Sequence, residues 1–286
     1  MPWCRHPKTA IVPPVTDPPE SLGIIAGNRS LPLLLASEAR AAGVQRLVAA
    51  AFKNETDPAL AELVDEIEWL RVGQLSRLIE TFRDHGITQC VMVGQIAPKN
   101  LFDLRPDLRT LKLLASLKEK NAHSIFGGIA DELAGEGITL IEATPWLKPA
   151  MPGTGFCLGP KPSPAVQADI EFGQGIAKEI SRLEIGQTVV VKDGTVLAVE
   201  GFEGTDDCLL RGGELAGDRG GAVAVKMAKP THDLRFDIPC LGGQTLETCA
   251  SAGIGALAFE ADRTLLLDRE EVESTAQRHG ISLTAV

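Results

Sequence analysis

The sequence is short of the features that mark several protein classes. Its six cysteines, at positions 4, 90, 157, 208, 240 and 249, include no Cys-x-x-Cys pair and no closely spaced Cys/His group, which argues against a structural zinc site. They read as reduced thiols of a cytosolic protein. Nothing approaches the roughly 20 consecutive apolar residues that a membrane-crossing helix needs. The proline-rich residues 1–20 lack the apolar stretch of a secretory leader and read as an irregular arm. No basic run accompanies the net charge of -10, so a nonspecific nucleic-acid binder is disfavoured and small-molecule chemistry gains weight. There is no internal repeat, no G-x-G-x-x-G, no Walker pattern and no legible Ser/His/Asp or Cys/His arrangement.

What is present is a chain of 286 residues, 44% hydrophobic, long enough for a large core and for two domains. Through the first half, strand-like and helix-like periods alternate. Leu22 to Ala26 is an apolar strand, residues from Leu31 onward are helical, "RLVAAAF" at 46–52 is the next strand, and Cys90 to Val93 another. Val72, Leu75, Ile79 and Phe82 share a helical face that His85-Gly86 closes. This alternation predicts an α/β fold with a doubly wound, Rossmann-like parallel sheet over residues 21–144. Ligands of such sheets sit beyond the carboxyl ends of the strands. Two loops meet that condition, Gly27 to Ser30 and Gly94 to Pro98, each following an apolar strand and starting with glycine. As bare patterns they are no more than strand-to-helix turns, although Arg29 could add a charge contact to phosphate.

The Pro/Gly-rich stretch 145–164 reads as a linker, and residues 165–286 as a second mixed α/β domain. That half opens with an amphipathic helix over Ala165 to Leu183. "TVVVKDGTVLAV", at 188–199, predicts a hairpin turning at Asp193-Gly194. Strands are expected near 222–227, 233–238, 255–259 and 264–267, with helices near 244–252 and 269–279. A strand through "THDLRFDIP" would place Asp233, Arg235 and Asp237 on one face, ordinarily a solvated one. Pro239 would leave Asp237 at the strand's end, where a carboxylate can meet a hard cation or a water. Glu200, Glu203, Asp206 and Asp207 form an acidic segment that could bind a cation or simply face solvent. Lys229 could neutralise a phosphate. Of the five histidines, only His232, beside Asp233, invites a functional reading; His85 and His279 suit helix ends.

Five ordered blocks then acquire a common meaning: "LGIIAGNRSLP", "VMVGQIAPKNLFDLRPDLR", "ADIEFGQGIAKEISRLEIGQTVVVKDGTVLAVEGFEGTD", "AVKMAKPTHDLRFDIPCLGGQTL" and "LLLDREEV". In these the chain resembles the UDP-2,3-diacylglucosamine pyrophosphatases of lipid A biosynthesis, of the type unrelated to the calcineurin-like enzymes. The resemblance runs from about Leu22 to the C-terminus. It implies two domains around a cleft and magnesium-dependent hydrolysis of UDP-2,3-diacylglucosamine, with water attacking the sugar-side phosphorus to give UMP and 2,3-diacylglucosamine 1-phosphate. Asp237 of "FDIP" matches the essential aspartate, implied to hold magnesium or position the water. Asp206 is the second expected metal contact. Gly27, Asn28 and Leu31 match the first glycine loop, and Gly94-Gln95 a second that is usually Gly-Asn. Gln187, Thr205, Asp206, Lys229 and Thr245 match further binding positions.

Two departures stand out. The first loop reads Gly-Asn-Arg where a glycine-richer run is common. After Lys120, Asn121-Ala122-His123 replaces a frequent Gly-Asp-Asp, so no carboxylate role passes to those positions. The partners implied are an acylated nucleotide sugar and, through its acyl chains, peripheral contact with the inner membrane from the cytoplasm; nucleic acid is not expected, and a homodimer is left open. The alternatives are a nucleotide-sugar transferase using the same loops and carboxylates, and a catalytically inactive nucleotide- or lipid-binding protein.

Overall fold

The computed structural model describes residues 18–96, 106–119, 121–229 and 233–286. They divide into two compact units, one running to Leu147 and including Asp233–Asp237, the other made of residues from Lys148 onward apart from that segment. The chain thus returns to the N-terminal unit for five residues, the last of which is Asp237. The expected division put this aspartate in the C-terminal domain.

In the N-terminal unit, strands β1 (Ser21–Ala26), β2 (Arg46–Phe52), β3 (Glu66–Leu70), β4 (Gln89–Val93) and β5 (Thr139–Leu140) form one sheet in the order β3-β2-β1-β4-β5. Every pairing is parallel, because each strand is followed by a helix or a return loop that carries the chain back over a face. Strand residues are buried on both sides, as a doubly wound sheet requires. Ile25, Val48, Ala50 and Leu70 pack with Leu78, Ile79 and Phe82 of α2 (Leu75–Asp84), Leu113 of α3 (Leu108–Ser116) and Leu133 of α4 (Ala122–Gly135). Ile24, Ala49 and Ala51 point the other way and are equally buried, on the side where α1 (Leu31–Ala41) buries Leu35, Ala36 and Ala39. Pro32 sits in the first turn of α1, where its missing N–H costs no helical bond. The edge strand β3 has no counterpart among the strands read from sequence.

The C-terminal unit holds a mixed sheet, β6-β13-β11-β9-β7-β8, built from β6 (Cys157–Leu158), β7 (Thr188–Lys192), β8 (Thr195–Val199), β9 (Ala222–Lys226), β11 (Ile254–Phe259) and β13 (Ser282–Ala285). A two-stranded pair, β10 (Cys240–Leu241) and β12 (Leu265–Leu266), lies apart from it. Alternation sorts the core into two layers. Val189, Val191, Val223 and Val225 face Ile170 and Ala177 of α6 (Pro164–Arg182). Val190, Ala222 and Ala224 face Leu209 of α7 (Thr205–Ala216), Leu246 of α8 (Gly243–Ser251) and Val272 of α9 (Arg269–His279). The expected hairpin turns at Asp193 and Gly194, both at positive φ. The buried carboxylate of Asp169 in α6 accepts both of their N–H groups, at 2.9 and 2.8 Å.

Three expectations need correction. The stretch 145–164 is not a bare linker: residues 144–147 form the short helix α5 (Thr144–Leu147) of the N-terminal unit, and Cys157–Leu158 pairs antiparallel with β13. Cys157 is disulfide-bonded, whereas Cys90, Cys208, Cys240 and Cys249 form no disulfide. Residues 233–237 form a turn rather than a strand, for reasons that bear on the site.

Candidate active site

In the order β3-β2-β1-β4-β5 the chain's direction of winding reverses between β1 and β4, and that reversal opens the crevice in which such sheets take ligands. Both glycine loops meet there. Gly27 N–H donates to Val93 O at 2.8 Å and Asn28 N–H to Gln95 O at 2.7 Å, so Asn28 and Gln95 pair as an isolated antiparallel bridge. Glycine is required on both sides of the crossing. A Cβ on Gly27 would stand 2.5 Å from Gln95 O, and one on Gly94, whose φ is +87°, would stand 2.7 Å from Asn28 O.

Around this crossing the side chains are directed. Asn28 Nδ2 donates to Glu55 Oε2 at 2.7 Å, which fixes the amide orientation and leaves Asn28 Oδ1 buried with no partner. Arg29 follows at φ 66° and is exposed. Leu31, matched to the same loop, is buried as the first residue of α1 and contributes packing. Residues 97 and 98 of the second loop lie outside the described residues. Beside the crossing, past the carboxyl ends of β1, β2 and β3, lies a cleft of about 1290 Å³ lined by Arg29, Lys53, Glu55, Asp57, Trp69 and Arg71, among others.

Asp237 closes the segment 233–237. Asp233 O accepts from the N–H groups of Phe236 and Asp237, at 3.1 and 2.9 Å. Asp233 Oδ1 also accepts from the Arg235 N–H at 3.2 Å, and the Arg235 guanidinium donates through Nε at 2.9 Å and Nη2 at 2.6 Å. This local alternative outcompetes the extended backbone that the alternating residues suggested. The Arg235 guanidinium holds the Asp233 carboxyl below the usual carboxylate range. Phe236 packs on the N-terminal core, with ring centroids 5.7 Å from His123 and 5.5 Å from Phe126. Next to that anchor, Asp237 is exposed. Asn121 and His123, the positions of the altered segment, therefore have structural tasks: the Asn121 side chain caps α4 by accepting from Ser124 N–H at 2.8 Å, and His123 supports Phe236. His232 lies outside the described residues.

The C-terminal unit gathers other matched positions at the carboxyl end of β9. Lys226, the last residue of β9, is only 7% exposed. Its Nζ donates to Thr205 Oγ1 at 3.4 Å and to Cys240 O at 3.3 Å. Thr205 Oγ1 donates in turn to Glu200 Oε1 at 3.3 Å, and Glu200 Oε2 accepts from Gln187 N–H at 3.4 Å. Gln187 Oε1 is buried without a partner. Asp206 is exposed in the first turn of α7, where the helix dipole favours a carboxylate. Thr245 lies in the first turn of α8, its N–H bonded to Gly242 O at 3.1 Å. Lys229 is half-buried, with its carbonyl accepting from Arg263 Nη2 at 3.2 Å. Lys226 went unnoticed in the sequence. Its signal was a lysine closing the apolar run "AVAV", a place where a buried ammonium must find partners.

Among the described residues no group of three or more His, Cys, Asp or Glu side chains converges as a ready-made metal cage. A magnesium ion needs none, since it commonly keeps several waters and binds through one or two carboxylates and the substrate's phosphates. The exposed carboxylate of Asp237 fits that donor set, and so does that of Asp206 on its own unit.

A doubly wound parallel sheet with a backbone-built crevice at its switch point, followed by a second unit with a mixed sheet, defines an α/β protein of the open-sheet class that takes ligands beyond its strand ends. Comparison with known proteins gives the particular family. Residues 21–150 match the LpxI N-terminal domain and residues 153–284 the LpxI C-terminal domain. The chain is 32% identical over 274 residues to the UDP-2,3-diacylglucosamine pyrophosphatase LpxI of Caulobacter vibrioides, covering 93% of this chain and 97% of that protein. The chain belongs to the LpxI family.

Proposed function

We propose that this protein hydrolyses the pyrophosphate of UDP-2,3-diacylglucosamine, releasing UMP and 2,3-diacylglucosamine 1-phosphate for lipid A synthesis. The observation that carries the reading is end-to-end similarity to a relative named for that activity, at 32% identity over 97% of its length. A water oxygen bonds to the sugar-side phosphorus, the bond from that phosphorus to the bridging oxygen breaks, and the bridging oxygen leaves with UMP.

The reaction needs charge neutralisation, an oriented nucleophile and support for the leaving phosphate. Asp237, exposed at the end of its turn, is assigned to hold magnesium or to accept a hydrogen bond from the attacking water. Asp206 is assigned as a second carboxylate toward the metal. When bound, magnesium supplies Lewis-acid neutralisation of the phosphate oxygens. Gly27, Asn28, Gly94 and Gln95 form the nucleotide-side wall, since glycine lets a phosphate approach the backbone closely. Gln187, Thr205, Lys229 and Thr245 are assigned to substrate binding in the C-terminal unit. The acyl chains supply a reason for peripheral membrane contact from the cytoplasm. No helix of the described residues is long and apolar enough to cross a bilayer, while α3 leaves Leu108 and Leu111 exposed beside Arg109 and Lys112.

The test is to incubate the purified protein with UDP-2,3-diacylglucosamine and no acceptor, with magnesium or with a chelator. UMP and the diacyl sugar phosphate should form in equal amounts with magnesium and stop with the chelator. Absence of UMP in the presence of magnesium would overturn the hydrolase reading, and undiminished turnover with the chelator would overturn the metal requirement.

A further inference from the structure

At the carboxyl end of β9 two side chains of opposite charge are buried in the C-terminal unit, Lys226 and Glu200, each 7% exposed. A single hydroxyl joins them. An ammonium has only hydrogens to give, so Thr205 Oγ1 accepts from Lys226 Nζ at 3.4 Å and directs its own hydrogen to Glu200 Oε1 at 3.3 Å. Thr188 Oγ1, 3.4 Å from the same oxygen, is left as a donor to it. One hydrogen given and two accepted fill the capacity of a hydroxyl. The Thr205 side chain is therefore committed inside the protein, and its contact with a ligand falls to its backbone.

The two charges are held by backbone. Glu200 N–H donates to Thr188 O and Met227 N–H to Gln187 O, both at 2.9 Å, which fixes the residues flanking β7, β8 and β9 to one another. Gly186 lies so close to the Glu200 carbonyl that a Cβ would have no room. The start of α7 is built differently. Its N-cap is Gly204, at φ 88°, which has no side chain to cap the first turn. Thr205, the first residue of the helix, is pinned instead through the hydroxyl that Lys226 and Glu200 share. The same ammonium donates to Cys240 O at 3.3 Å, at the start of β10, three residues along the chain from Asp237.

We propose that Lys226 is a positioning residue for the pyrophosphatase reaction. Acting through Thr205 and Cys240, it sets the start of α7, with Thr205 and Asp206, in the arrangement that binds substrate. The inference rests on the hydrolase reading for the reaction and on the C-terminal unit's own geometry for the residue. Glu200 supplies the countercharge, so the ammonium can be removed with or without leaving a lone buried carboxylate. That separates the stability of the unit from the placing of Thr205.

The experiment compares the full-length wild type with Lys226→Met, Glu200→Gln and the double variant, by steady-state hydrolysis of UDP-2,3-diacylglucosamine with magnesium, by urea unfolding and by amide hydrogen exchange. Lys226→Met should lower the urea midpoint, because the Glu200 carboxylate stays buried without the ammonium, and the double variant should recover most of that loss. KM should stay raised about tenfold or more in both, the usual cost of one hydrogen bond to a charged group, with kcat little changed. KM restored along with the midpoint would reduce Lys226 to a structural residue and overturn the proposal. A double variant no more stable than Lys226→Met would overturn it too, by removing the pairing on which it stands. If the wild type does not turn over the substrate, the hydrolase reading fails by itself. Faster exchange over residues 200–208 in the double variant, with β7 unchanged, would then still sustain the positioning role, and unchanged exchange there would overturn it.

Discussion

In the N-terminal unit the candidate site is made of backbone. Gly27 and Gly94 bring two loops so close that neither position has room for a Cβ, and the hydrogen bonds that join them are peptide to peptide. In the C-terminal unit the corresponding polar centre is made of side chains, Lys226, Thr205 and Glu200, linked by contacts of 3.3–3.4 Å. Backbone sites tolerate little change of shape, because steric exclusion is steep. Side-chain centres tolerate shape but not loss of a donor or acceptor, because the partner left behind stays desolvated. The turn bearing Asp237 combines both kinds, with peptide bonds closing it and the Arg235–Asp233 pair and Phe236 fixing it.

The contrast can be broken most severely at that turn. Asp237→Asn keeps the shape and removes the charge, so kcat should fall by about 10²–10⁴-fold with the melting temperature within a degree or two of wild type; a variant that retains most of its turnover would remove Asp237 from the chemistry. Next comes the backbone crossing. Gly27→Ala should cost about 2–3 kcal/mol in denaturant unfolding and weaken UMP binding, and unchanged stability would mean that the loops separate at little cost.

Smaller effects belong to the side-chain centre. Thr205→Val preserves volume while deleting the hydroxyl between Lys226 and Glu200, for an expected loss of about 1–2 kcal/mol; Thr205→Ser, which keeps the hydroxyl, should recover most of it. The smallest effect is acid-dependent. Arg235 lowers the Asp233 pKa, so the pair's contribution is fully present above the unfolded value of about 3.9. It is lost as pH falls through the lower folded value. Asp233→Asn should therefore be less stable than wild type above about pH 4, with the gap closing on further acidification. Because the Arg235 side chain is 40% exposed, solvent screening keeps that gap small, and a gap that widened in acid would contradict the sign.

Much of the N-terminal fold was legible because its buried parallel strands are continuous apolar runs, and the switch-point position of the two loops followed from their order. Strand β3 was not read, because its five residues, with Glu66 and Glu68 among them, make no continuous apolar run like those of the buried strands. Consequently the cleft beside Trp69 was invisible too. The 233–237 segment misled for the opposite reason: its alternation is strand-like, but a two-residue Asp–Arg pair and a ring packed on distant His123 and Phe126 decide the backbone. Asp237 drew notice from its place before Pro239, and its assigned role came from family resemblance. The mutual contact of Gly27 and Gly94 depends on tertiary register, which no local pattern encodes.

Hydrolysis in ¹⁸O-labelled water, with mass analysis of both products after a single turnover, tests the central claim most directly. Attack at the sugar-side phosphorus predicts one ¹⁸O in 2,3-diacylglucosamine 1-phosphate and none in UMP. Label in UMP would contradict the account.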